Sequence, residues 1–253
     1  MIRRTAPRFG LVADVHANLQ ALEAVLAHFE AEGVDEIWCL GDVVGYGGDP
    51  AACATLVRER CAGTVRGNHD AAAVDVRLRE GFNPHARAAI ELQAEMLDAD
   101  ALAWLGGLPP LIELEEVVLL HASLAEPDDY PYVMGAWDAD RELAGQTARW
   151  GFYGHTHVPA GWRKPADGEA PQRIEIPAGS GAVRLDGPGR YLVNPGAVGQ
   201  PRDGDRRAAC AVFDRVAGRL AIARLPYDVA GAQAAIRRAG MPTIEAERLE
   251  DGR

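Results

Sequence analysis

The sequence predicts an α/β fold in which a mostly parallel sheet carries functional groups along one edge and a second, antiparallel sheet packs on it. Three observations support this. Over residues 8–67, short apolar runs alternate with helical stretches in the order strand, helix, strand, helix, strand, as in right-handed βαβ units. Each of these runs ends at an acid or amide, Asp14, Asp42 and Asn68, and the carboxyl ends of such strands are where parallel sheets hold their functional groups. Beyond His157 the texture changes to β-rich segments separated by Gly and Pro.

Residues 8–14 form a continuous apolar run ending at Asp14, as expected for a strand covered on both faces. Asn18 can cap the helix Leu19–Glu32, in which Leu19, Leu22, Val25, Leu26 and Phe29 recur at helical spacing before Gly33. Ile37–Leu40 is the second strand, a Gly-rich turn covers Gly45–Pro50, and a helix through Ala51–Glu59 leads to the strand before Gly67. Pro84 opens one long helix over 84–104, which Pro109 and Pro110 end. Val117–Leu120 is a strand ending at His121, Glu126–Trp137 a polar, aromatic loop, Ala139–Arg149 a helix, and Phe152-Tyr153 a strand leading into Gly154-His155-Thr156-His157. Ala160–Arg163, Arg173–Ile176, Tyr191–Val193, Ala208–Phe213 and Leu220–Leu225 are the later strands, the last two joined by a hairpin turn at Ala217-Gly218. A final helix, Val229–Arg238, precedes Pro242–Arg253, expected as a loosely held tail. No linker or internal repeat divides the chain, so residues 1–253 read as one domain.

Composition limits the partners. Lys and Arg total 26 against 37 Asp and Glu, a net charge of −11, which disfavours broad binding to nucleic acid or anionic lipid. No apolar run is long enough to span a membrane, and Met1–Thr5 lacks an apolar signal core, so a cytoplasmic location is expected. Cys39, Cys53, Cys61 and Cys210 form no CxxC pair and read as thiols of a reducing compartment. With so acidic a chain, a phosphate ester would need bound cations to attract it.

A donor set for such cations is present. Five of the seven histidines, His16, His69, His121, His155 and His157, sit at the ends of apolar runs beside Asp14 and Asp42. In Asp14-Val15-His16 the two ligand-type side chains are two residues apart, so in extended backbone they face the same side and can share one metal. The two oxygens of Asp42 can bridge cations about 3.5–4 Å apart, and Asn68 adds a neutral carbonyl oxygen. Oxygen and imidazole donors without thiolates suit Mn, Fe, Zn, Co or Ni, with Mn favoured, better than Ca.

The ordered set DxH, GD, GNHD, H and GHTH resembles the calcineurin-like metallophosphoesterases over residues 8–215. Gly41–Gly47 and Asn194–Arg202 look like their small bacterial phosphodiesterase branch. The resemblance implies a four-layer α/β/β/α sandwich, with two mixed sheets flanked by helices. It implies two divalent cations, one held by Asp14, His16 and His157 and the other by Asn68, His121 and His155, with Asp42 bridging. It further implies His69 as the catalytic histidine and Asp70 as its orienting partner. Such a pair of cations brings a bridging water toward a pKa of about 7, giving hydroxide to attack the ester, while His69 protonates the leaving alkoxide and Asp70 fixes its tautomer. Arg202 is a candidate fork onto substrate phosphate, and Asn18 is both a cap and a near-site residue.

The expected activity is a metal-dependent phosphodiesterase acting on small phosphoesters or nucleotides, as a monomer or a homo-oligomer. Protein phosphatases and dinucleoside-polyphosphate hydrolases of the family carry GDxxDRG and GNHE, where this chain has Gly45-Tyr46-Gly47 and Asp70. A metal-binding scaffold without turnover is the remaining reading, and the complete ligand set with His69-Asp70 counts against it. Arg66 and the 126–137 loop carry no pattern that assigns them a role.

Overall fold

The computed structural model describes residues 6–253; the Met1–Thr5 segment lies outside them. Two six-stranded mixed sheets stack face to face with helices on both outer faces, so the four-layer arrangement is observed. In the first sheet β1 (Arg8–Val12) runs parallel to β2 (Glu36–Cys39), and β2 runs parallel to β3 (Gly63–Thr64). In the second, β5 (Val117–Leu120), β6 (Trp150–Phe152) and β10 (Arg190–Asn194) are parallel, with β4 (Leu111–Glu113) at one edge and β7 (Ala160–Lys164) and β8 (Gln172–Ile174) beyond the other.

The strands that follow His157 do not make a sheet of their own, as their Gly- and Pro-punctuated sequence suggests. β11 (Ala208–Asp214) lies antiparallel on β1, and β12 (Arg219–Leu225) and β9 (Gly181–Arg184) extend the same sheet. The reason lies in β11, in which Ala208–Phe213 are all buried. A strand apolar on both faces needs neighbours on both edges and cover above and below, and the open edge of β1 provides that place.

Period-2 alternation builds the layers. Phe9 and Leu11 face inward and meet Phe152, Phe213, Leu119 and Val193 between the sheets, with the Phe9 ring edge-on to Phe213 at 5.5 Å. Val12, Cys39 and Val212 face outward under α1 (Leu19–Glu32), whose Leu22, Val25, Leu26 and Phe29 are the expected stripe. α2 (Pro50–Arg60) joins this layer. On the far side, Ala139 and Leu143 of α6 (Ala136–Gly145) cover Val118, Leu120 and Leu192.

Two helical expectations change and one helix is added. The stretch expected as one helix over 84–104 is two, α4 (Pro84–Met96) and α5 (Ala99–Gly106), because the Asp98 side chain accepts from Ala101 N at 2.8 Å and starts a new helix after extended Leu97. α3 (Asn68–Val74) is short and Ala-rich and begins inside the GNHD motif. Residues 242–253, expected to be loose, form α8 (Thr243–Asp251), which packs Ala246 and Leu249 on α7 (Val229–Arg238) and closes on left-handed Gly252. Its apolar stripe is thin because one of its buried positions is Glu245. No helix among the described residues is long and apolar enough to cross a membrane.

Phe213 is fully buried and touches Phe9, Trp150 and Phe152 at once. Phe213→Ala is therefore expected to cost about 3–5 kcal/mol, read as a lower urea midpoint at unchanged m-value. Val216→Ala, at a position 82% exposed, should stay within about 0.5 kcal/mol.

Candidate metal centre

The donors arrive on the turns that follow the strands, and at five of the seven the backbone is left-handed. Asp14, His16, Ala17, Asp42, Tyr46, His155 and His157 all have φ between 47° and 67°. Non-glycine residues adopt this conformation at a cost of order 1–3 kcal/mol each. The Asp14-Val15-His16 segment is thus not extended as expected: β1 ends at Val12 and the chain curls. Hydrogen bonds to the next strand-end turn hold the curl, Asp14 N to Gly41 O at 3.0 Å, His16 N to Asp42 O at 2.9 Å and Ala17 N to Val43 O at 2.9 Å. Gly67 lets the third turn close on the second, since a Cβ there would collide with Asp42 Oδ1.

Two overlapping groups of donors result. Asp14, His16, Asp42 and His157 form one and Asp42, His121 and His155 the other, with all donor atoms of a group within 4.8 Å of one another and every residue buried. Asp42 belongs to both. Its Oδ2 lies 3.6 Å from His16 Nε2 and 3.3 Å from His121 Nε2, and Asn68 Oδ1 lies 3.2 Å from His121 Nε2. All seven sequence-predicted donors therefore converge, Asn68 beside the second group.

The second nitrogen of three rings fixes which atom faces the centre. Nδ1 of His16, His121 and His157 lies 2.9, 2.7 and 2.6 Å from the carbonyls of Val44, Leu40 and Gln200. A carbonyl only accepts, so each Nδ1 carries the proton and each Nε2 presents a lone pair when the ring is neutral. Burial holds His16 and His157 well below the usual imidazole range, so both are neutral. Their Nε2 atoms nevertheless stand 3.0 Å apart, lone pair against lone pair. His155 Nε2 is buried with no partner at all. Convergent acceptors without hydrogens to share fit a cation and little else, so these residues fit a divalent metal.

Protons occupy part of the set. Burial alone would lower the His121 imidazole, but the Asp42 carboxylate beside it prevails and holds it up to about 9. Burial pushes the Asp14 carboxyl up to about 7, with Asp42 adding and His121 opposing.

The residues next to the donors differ from expectation. Asp70 does not orient His69. Its carboxylate accepts the backbone N–H groups of Asp42 (2.9 Å), Val43 (2.9 Å), Val44 (3.2 Å) and Gly67 (3.0 Å), while His69 Nδ1 is buried without a partner. The physical reason is position: Asp70 is the third residue of α3 after the cap Gly67, where an acid turns back onto the helix N-terminus. The His69 ring instead packs edge-on to Phe82 and His16 and beside Tyr46, its backbone N–H donates to Asp42 Oδ1 at 2.8 Å, and burial lowers it to about 4.

Asn18 caps α1 through Ala21 N and donates to Gly199 O at 2.8 Å, so both ends of its amide are used and it does not line the cleft. Arg202 does line that cleft, of about 450 Å³, together with His69, Asn68, Tyr46, Phe82 and Tyr132. The 126–137 loop forms one wall, with Tyr132 stacked on His155 at 4.1 Å, and Arg66 ties this loop down through Asp128 at 2.6 Å. Two holding residues escaped the sequence reading. Gln93 accepts from Gly45 N and donates to Gly47 O at 2.7 Å, and Asn194 donates to Gly154 O at 2.6 Å and to Thr156 Oγ1 at 3.0 Å. Gln93 was visible in principle as the polar member of the stripe Ala86, Ala89, Ile90, Gln93.

A family model described as the calcineurin-like phosphoesterase superfamily domain matches residues 8–217. An uncharacterized protein of Methanocaldococcus jannaschii, MJ0912, is 33% identical over 247 residues, covering 96% of this chain and 97% of that protein. The crystal structure of a metallophosphoesterase from Sphaerobacter thermophilus superposes with a TM-score of 0.85 at 39% identity, covering 98% of this chain and all of that one. A hypothetical protein from Pyrococcus horikoshii, PH1004, shares the fold at a TM-score of 0.76 and 15% identity, covering 97% of this chain and 98% of that one.

Cation uptake must displace the protons on Asp14 and His121. Both are lost as pH rises, through about 7 and about 9 respectively, so affinity should rise with pH. Near pH 8 the increase should be about tenfold per pH unit, one proton being released per centre. Mn²⁺ titration calorimetry at pH 8 in buffers of different ionisation enthalpy measures this release; a heat independent of buffer would contradict it.

Proposed function

We propose, from the premise that the chain belongs to the calcineurin-like phosphoesterase superfamily, that it is a metal-dependent phosphodiesterase acting on small esters. The observation that carries the reading is the sharing of Asp42 by two donor groups, which suits a pair of adjacent cations. Asp14, His16 and His157 would hold one and Asn68, His121 and His155 the other, with Mn²⁺ the favoured ion and Fe, Zn, Ni or Co alternatives. When bound, such a pair activates water and neutralises charge on a phosphoryl group.

The chain's own residues supply the rest. Arg202 stands at the cleft wall as a fork for a phosphate oxygen. His69 faces the same cleft, and an anionic ester beside it raises its pKa, so that the ring carries a proton where the leaving oxygen develops charge. Asp70 keeps Asp42 and the 42–44 backbone in place. Tyr46, Phe82, Tyr130 and Tyr132 line the walls and offer ring faces to an ester group.

The charge of the cleft favours a diester. Asp129 and Asp128, the latter paired to Arg66, line its outer part, and Arg202 is the one arginine or lysine among its lining residues. At that outer wall, away from the cations, a singly charged diester meets less repulsion from Asp129 than a dianionic monoester or a polyphosphate chain. The same acids argue against a dinucleoside polyphosphate.

With Mn²⁺, bis(4-nitrophenyl) phosphate should be cleaved faster than 4-nitrophenyl phosphate. His69→Asn should retain metal and lose about 10²–10⁴ in kcat, whereas Asp42→Asn should lose metal as well. Elemental analysis and initial rates on the same preparations decide. Wild-type turnover in His69→Asn would sink the assignment of His69, and a preference for the monoester would sink that of the diester.

A further inference from the structure

α8 lies beyond the matched residues 8–217, yet it carries a carboxylate to the edge of the site. Glu245 is 1% exposed. Gln200 Nε2 donates to Glu245 Oε2 at 3.0 Å, and Arg248 Nη1 stands 3.5 Å from the same oxygen. At the other end of the Gln200 amide, Oε1 accepts from Arg202 Nη2 at 2.9 Å. The Arg202 guanidinium lies 5.5 Å from the Tyr46 ring centre, with its Nε buried and unpartnered.

A carboxylate can only accept, so Glu245 dictates how the Gln200 amide faces, its NH₂ toward α8 and its oxygen toward Arg202. Reversed, the amide would set donors against a guanidinium that has only donors. An apolar residue of similar volume at this buried position would avoid the desolvation cost of a carboxylate. The main chain of Gln200 does separate work: its carbonyl accepts from His157 Nδ1, independently of the side chain.

We infer that Glu245, acting through the Gln200 amide, positions the Arg202 guanidinium for a substrate phosphate, so that the C-terminal helix completes the site. This rests on Arg202 being the phosphate contact. Glu245 is a positioning residue and touches no substrate.

The test is binding of inorganic phosphate to Mn²⁺-loaded protein, followed by calorimetry. Arg202→Ala should weaken it by about 10–100-fold, the loss of a charge-assisted hydrogen bond. Glu245→Leu should weaken it by roughly fivefold or more with manganese content unchanged, and Glu245→Gln, which keeps an acceptor for Gln200, should stay within about twofold. In the Arg202→Ala background, Glu245→Leu should add nothing. Wild-type phosphate affinity in Glu245→Leu, or the same loss with and without Arg202, would overturn the inference. Unchanged binding in Arg202→Ala would instead remove Arg202 from the phosphate site. The positioning itself is read without any ligand: a crystal structure of Glu245→Leu that keeps Arg202 on Gln200 Oε1 overturns it.

Discussion

The centre depends on where the Asp42 carboxylate is held. It is shared by two donor groups, so a displacement of its turn would disturb both at once. Asp70 prevents this by gathering four backbone N–H groups, three of them from Asp42, Val43 and Val44. Burial, with the Asp42 charge adding, pushes the Asp70 carboxyl up to about 7 against these bonds; above that pH they are charge-assisted and roughly twice as strong as neutral ones, and in a buried site they also spare the amides from going unpaired. Left-handed residues around the donors become tolerable because this network and the ties between Asp14–Ala17 and Gly41–Val43 over-determine them.

Topology does the rest. Asp14 and Asp42 follow strands of the first sheet, whereas His121 and His155 follow β5 and β6 of the second. The donor groups therefore assemble only when the sheets are stacked. Phe9, Leu11, Phe152 and Phe213 between the layers offset the desolvation of a buried cluster of carboxylates and imidazoles. Metal binding and folding are then linked, since the unfolded chain has no such cluster.

Much of this was legible in the sequence because the donors sit at strand ends, and apolar runs mark strand ends plainly. The seven candidate positions that converge and the alternating first half were legible from the residues and their order, whereas the two mixed sheets followed from the family resemblance. What stayed hidden depended on pairing and direction. The edge of β1 that receives β11 is set by burial on both faces, which a short apolar run shares with many other strands. The place of Asp70 in its helix, not its adjacency to His69, decides what its carboxylate reaches. α8 is hidden in the sequence because its buried face includes Glu245, a charge with the pattern of a solvent-facing residue, which Gln200 and Arg248 partner in the fold.

The claim that Asp42 joins two cation sites into one centre is tested most directly by electron paramagnetic resonance of protein titrated with Mn²⁺. The shared carboxylate predicts two bound ions per chain and an exchange-coupled signal that grows as the second equivalent binds, with loss of coupling in Asp42→Asn. Saturation at one ion, or two ions giving the six-line pattern of isolated Mn²⁺, would contradict it.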